Sequence, residues 1–282
     1  MFGFVLRHRD RSVLSKAGLF LVVCCLSVSC LVMPSIGYAE FVDGHEQEMV
    51  IAGLNAPPYI SRHNGVAAQG IIIDLINEIL PWMGIKPRFV ISNWSRAFQQ
   101  AKMGQADALI PTLNTPERHD WFVFPKEPLV HFHMTFFGEK GRHYGYDGTL
   151  DSVVNLSIGK LQNGRVTPTF DMAEQQGKLK LESRSSINLL AKAVAFQRLD
   201  LFIIEKRMGW WSINQEKLAE RLHPLDPPLG THPIYLAISK NSRYASPSWI
   251  KKINETIREV RQAGLLDRII ERHHNGLVSP PP

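Results

Sequence analysis

The 282 residues are 44% apolar and 21% charged, an ordinary globular mixture on a length that holds roughly two domains of 100–200 residues. That balance excludes a collagen-like chain, bulk disorder and a polytopic membrane protein. The formal charge of +6 suggests a nucleic-acid or membrane-surface partner only while the N-terminus is counted, and that segment reads as removable.

Arg7, Arg9, Arg11 and Lys16 precede a charge-free apolar run from Ala17 to Met33, and Gly37-Tyr38-Ala39 places small residues just before Glu40. A basic stretch, an apolar stretch and a small-x-small exit make a secretory signal peptide over residues 1–39. A retained membrane anchor is the competing reading; Pro34 and the small-residue exit favour cleavage. Cys24, Cys25 and Cys30 all fall in this segment, so the remaining 243 residues hold neither a disulfide nor a thiolate site. Lipidation at Cys30 is disfavoured because Ser27 stands where a lipoprotein signal carries Leu or a similar residue. The exported chain has 28 basic and 25 acidic residues in mixed blocks such as Lys126-Glu127, without the basic stripe that nucleic acid requires.

From Met49 onward short apolar strands alternate with amphipathic helices, the pattern of α/β architecture with largely parallel sheets. Met49 to Ala52 reads as a strand, Pro57-Pro58-Tyr59 as a rigid loop and Asn64-Gly65 as a tight turn. Ile71 to Trp82 reads as a helix with Ile72, Leu75, Ile76, Ile79 and Leu80 on one face. Arg88 to Ile91 is a strand, Arg96 to Met103 a helix closed by Gly104, and Ala108 to Ile110 a buried strand opening into Pro111 to Arg118. The pattern then restarts with a strand at Leu156 to Gly159, a loop at Gln162 to Arg165, a helix at Ile187 to Phe196 and a strand at Leu201 to Ile204. Two extended stretches, Leu129 to Phe137 and Pro233 to Ser239, link the halves as a double hinge. Ser246-Pro247 then starts a helix, and a last amphipathic helix carries Ile269 and Ile270.

Four segments resemble the bacterial extracytoplasmic solute-binding proteins for polar amino acids, family 3. They are Ala56-Pro57-Pro58-Tyr59 with Gly70 to Leu75; Trp94-Ser95-Arg96 with Gly104 to Ala108; Thr115-Pro116-Glu117-Arg118 with Phe124-Pro125; and Gln197 to Asp200 with Glu205. The resemblance implies the periplasmic binding protein type II fold, in which two α/β lobes joined by a double-crossover hinge close on a solute. It places lobe 1 at residues 40–136 plus 234–282 and lobe 2 at 137–233.

Arg118 is the strongest site candidate, because a guanidinium matches a planar carboxylate with two parallel hydrogen bonds and the position follows a strand end. The matching family position clamps the ligand carboxylate; the alternative is a surface arginine paired with Glu117 or Asp120. Thr112 and Thr115 flank the loop as further hydrogen-bonding candidates, with Thr115 equally suited to cap the turn at Pro116. Glu205 stands where the family usually carries Asp for the ligand's ammonium, against an ion pair with Lys206 or Arg207. Arg165 departs from the family's usual Thr or Ser; facing Arg118 it favours a solute with two acidic groups, and otherwise it points outward. Tyr59 and Trp94 are candidate cleft walls, Trp94 alternatively packing at its helix start. Asp74 and Asp200 read as structural. His131 and His133 alternate on one face, yet no third ligand is placed beside them, so neither a metal nor any other cofactor is expected.

These readings together describe a periplasmic, monomeric receptor that captures a small-molecule ligand, an amino acid or related carboxylate, and delivers it to an inner-membrane ABC permease, without nucleic acid and without catalysis. The alternatives are a periplasmic cyclohexadienyl or arogenate dehydratase-like enzyme, and a solute sensor acting through a separate membrane partner.

Overall fold

The computed structural model describes residues 47–63, 67–162 and 164–278. The signal segment and the Asn64-Gly65 turn lie outside the described residues. β1 (Gln47–Leu54) runs into a loop whose Ala56 and Ile60 bond each other's backbone, followed by the hairpin β2 (Ser61–His63) and β3 (Ala67–Gln69). α1 (Ile71–Trp82) buries Ile71, Ile72, Ile73, Leu75, Ile76, Ile79 and Leu80, each worth roughly 1.5–3 kcal/mol of apolar transfer. β4 (Ile85–Ser92), α2 (Trp94–Lys102) and β5 (Ala108–Leu113) complete the unit. α2 starts at Trp94, two residues before the sequence reading, because Asn93 accepts from the Arg96 amide at 2.9 Å and caps it there.

β1 pairs in parallel with both β4 and β5, the product of two helical crossovers. The second half repeats the plan. β8 (Ser157–Leu161) lies between β9 (Lys180–Arg184) and β10 (Leu201–Glu205), both parallel to it, and α3 (Pro168–Gln175) and α4 (Ile187–Ala195) make the crossovers. The halves share a local device as well as a topology. Asp107 accepts from the Val50 amide at 2.8 Å, and Asp200 accepts from the Ser157 amide at 2.9 Å, so each aspartate, placed just before its own strand, ties it to the neighbouring parallel strand.

Two long strands join the halves. β6 (Phe122–Val123) precedes β7 (Val130–Glu139), and β11 (Leu222–Pro224) precedes β12 (Gly230–Ser239). β7 and β12 pair antiparallel from Met134 with Gly230 to Val130 with Ile234; beyond that stretch β7 continues against β10 and β12 against β5. The sheet thus runs β4-β1-β5-β12-β7-β10-β8-β9. α5 (Lys206–Gln215) follows β10 directly, and α6 (Pro247–Gln262) and α7 (Leu265–Val278) close the chain against α1.

Burial follows that division. One pair of clusters draws on residues from Met49 to Val130 and from Ile234 to Ile269; the other pair draws on residues from Met134 to Leu222. Strand alternation sends Phe136 and Phe137 to opposite faces: Phe136 joins Ile158, Phe170 and Ile203, while Phe137 stacks on Phe202 at 5.0 Å and 14°. Among the described residues no helix is long and apolar enough to cross a membrane.

Candidate functional site

The carboxyl ends of β5 and β8 carry the loops that face each other. Strand alternation along β5 turns Thr112 inward, where it is fully buried and its hydroxyl donates to the Leu109 carbonyl at 3.0 Å, and turns Leu113 toward the loops. Thr115 begins the short 3-10 turn Pro116–Asp120, which carries Arg118. The Arg118 guanidinium donates from Nη1 to the Leu113 carbonyl at 2.8 Å and lies 4.9 Å from the Trp94 ring centroid. Two weak anchors thus hold the fork half-buried and leave most of its donors unspent.

Arg165 enters from the loop after β8. It lines, with Arg118, Thr115, Glu117, Trp94, Phe98, Leu113 and Trp121, a cleft of about 320 Å³, a size suited to a small solute. The aromatic wall is braced internally: Phe98 lies 5.8 Å from Trp94 and 5.6 Å edge-on from Trp121. Burial, and then the nearby Arg165 charge, lower the pKa of Arg118 below its usual value. The Glu117 carboxyl is held below the usual carboxylate range by the Thr115 hydroxyl first and its own amide next, with Arg165 and Arg118 adding attraction.

The remaining sequence candidates gather elsewhere. Glu205 is 1% exposed and does not line the cleft. Its Oε2 accepts from the Arg207 and Met208 amides at 2.8 and 2.9 Å and so caps α5. Tyr59, also 1% exposed, packs on Phe132 at 4.6 Å and faces Glu205; its hydroxyl and the Glu205 Oε1 are both buried without a hydrogen-bond partner of good geometry. Burial dominates in raising the pKa of both groups, and the Glu205 charge raises Tyr59 further. Gly70 keeps this corner tight: it adopts φ 127°, and a Cβ there would meet the Tyr59 carbonyl oxygen at 2.4 Å.

The structure therefore joins Arg118, Arg165, Thr115 and Trp94 in one cleft, joins Tyr59 to Glu205 in a sealed corner, and turns Thr112 into the core. Glu117, Phe98 and Trp121 are the lining residues that sequence reasoning did not place there. Asp74 accepts from His273 at 2.9 Å and anchors α7 to the first turn of α1. Among the described residues no group of three or more His, Cys, Asp or Glu side chains gathers around a common point for a metal ion. A second hollow, lined by Arg142, Tyr144, Tyr146, His223 and Asp226, has its charges already matched, Arg142 to Asp200 at 2.5 Å and Asp226 to Lys206 at 2.8 Å.

Residues 49–276 match the bacterial extracellular solute-binding proteins, family 3. The chain belongs to that family. No curated protein matches it. Solved structures similar to this family member include the GluR0 ligand-binding core in complex with L-glutamate, with a TM-score of 0.65 at 15% identity, covering 81% of this chain and 99% of that one. Another is an amino acid ABC transporter substrate-binding protein of Streptococcus pneumoniae bound to L-arginine, with 0.63 at 17% identity and coverage of 83% and 97%. A third is the VFT2 domain of Bordetella pertussis BvgS, with 0.63 at 15% identity and coverage of 80% and 92%. At these identities the likeness establishes the fold: two α/β lobes of the periplasmic binding protein type II class.

Proposed function

We infer that this solute-binding protein works outside the cytoplasm, captures a small carboxylate-bearing solute, an amino acid by chemistry and size, and hands it to an inner-membrane ABC permease. The observation that carries the reading is the half-buried Arg118 fork, poised over Trp94 at the mouth of a cleft whose far side is supplied by the other half of the chain. In this reading Arg118 clamps the carboxylate, Trp94 and Thr115 form the adjoining wall, and Arg165 closes from the second lobe. Tyr59, Glu205 and Thr112 support the cleft from behind, at the junction with the linking strands.

A ligand shifts lobe closure only through its better contacts in the closed state, so capture by two lobes couples affinity to shape. Binding raises apparent stability in proportion to the logarithm of ligand excess. A melting screen of the exported protein against amino acids, dicarboxylates, monocarboxylates and polyamines tests the reading. At least one carboxylate-bearing compound raises the melting temperature in a concentration-dependent way; a panel in which only polyamines do so would overturn it.

A further inference from the structure

Three charged side chains line the cleft, and none of them is matched by an opposite charge in an ion pair among the described residues; Glu117 draws only on the Thr115 hydroxyl and its own amide. Arg118 uses one donor on the Leu113 carbonyl and pairs with no carboxylate. Arg165 is exposed, and neither it nor Glu117 forms an ion pair with another described residue. The three nevertheless sense one another electrostatically: Arg165 acts on Arg118 and on Glu117, and Arg118 acts on Glu117. The buried carboxylate of the neighbourhood, Glu205, is not available, because its Oε2 accepts from two α5 amides and its side chain is sealed from the cleft.

When two lobes close, the water around these charges leaves, and a charge buried without a partner is strongly unfavourable. The lining carries two positive charges and one negative, so a solute that satisfies all three offers two anionic groups and one cationic group. The placement divides the work. Glu117 and Arg118 are adjacent on one short turn of the first lobe and present a carboxylate and a guanidinium side by side, the complement of an α-amino acid's ammonium and carboxylate. Arg165 comes from the second lobe and is left for an acidic group at the end of the solute's side chain. The geometry points to an acidic amino acid as the solute, with Glu117 rather than Glu205 as the partner of its ammonium group and Arg165 as the residue that selects the second acid. This deepens the solute-capture reading and rests on it.

The test is titration calorimetry of the exported protein with L-glutamate, L-aspartate, L-glutamine, glutarate, succinate and L-arginine. Glutamate or aspartate binds tightest, with the amine-free diacid of equal length and glutamine each at least tenfold weaker. Glu117→Gln reduces the preference for glutamate over glutarate by tenfold or more, and Arg165→Gln does the same to the preference for glutamate over glutamine. Glu117 and Arg165 are exposed, so both variants fold, which their melting curves check. Tighter binding of arginine or glutamine by the parent, or an unchanged glutamate-to-glutarate ratio in Glu117→Gln, overturns the assignment while leaving carboxylate capture intact. Failure of every carboxylate to bind defeats the underlying reading as well.

Discussion

Glu205 is the residue whose role differs most between position and surroundings, and its removal distinguishes a structural cap from a ligand contact. Glu205→Ala deletes a fully buried carboxylate that accepts two backbone amides at the first turn of α5. Loss of an N-cap side chain costs about 0.5–2 kcal/mol, and a charged acceptor in a partly buried geometry adds up to about 2 kcal/mol from the helix dipole. Relief of the carboxylate's desolvation opposes this, which leaves a net loss of about 2–3 kcal/mol. For a chain of this size that lowers the melting temperature by about 4–12 °C. The assay is thermal and urea unfolding of the ligand-free protein. A melting temperature within a degree of the parent would refute the cap and restore Glu205 as a side chain held for a ligand. The pH dependence gives a second reading. Burial raises the Glu205 pKa above its ordinary value of 4.5, so the folded state holds the proton more tightly than the unfolded state. The extra stability that proton uptake at Glu205 adds is therefore fully present below 4.5 and is lost as pH rises through the folded value, while the two amide bonds to Oε2 remain. Glu205→Gln cannot titrate, so the stability of the parent relative to this variant falls as pH climbs from 4.5.

Other substitutions probe the scaffold. Gln197 follows α4 at φ 57°, a left-handed conformation that glycine adopts freely, so Gln197→Gly stabilises by about 1 kcal/mol and raises the melting temperature by about 2–4 °C. Gly209 lies within α5, where a Cβ would stand 2.3 Å from the Phe137 ring. Gly209→Ala thus costs about 1–3 kcal/mol in overpacking, more than the roughly 1 kcal/mol of helix propensity it recovers, and the variant melts lower. Lys160, 6% exposed, reaches the partly exposed Glu174 at 2.6 Å between β8 and α3; Lys160→Ala lowers the urea midpoint, because it removes the buried alkyl stem of the lysine together with the ion pair.

The scaffold was legible where one element carries its own signal. α1 shows a full apolar face, and its bounds coincide with the expected Ile71 to Trp82. β10 is a continuous apolar run up to its last residue, β5 and the two linking strands are mostly apolar, and Ser246-Pro247 marks the start of α6 as a capping pair should. α5 was not legible: Lys206 to Gln215 is polar, contains Gly209, and owes its start to a buried glutamate whose capping is visible only in three dimensions. The site shows the same boundary. Strand ends located the loops of Arg118 and Arg165 correctly, but side-chain direction depended on register. Alternation at the end of β5 sent Thr112 inward and Leu113 to the cleft, and the helix following β10 claimed Glu205 for itself. The sequence offers Glu117 only as a possible partner for Arg118, since adjacency in sequence does not reveal that both side chains reach the same cleft.

The central claim is that Arg118 clamps the carboxylate of a captured solute. The direct measurement is the dissociation constant of the tightest carboxylate ligand for the parent protein and for Arg118→Ala, with the melting temperature of each ligand-free protein recorded alongside. The account predicts that the variant loses binding while its ligand-free melting temperature stays close to the parent's. Tight binding retained by Arg118→Ala would contradict it.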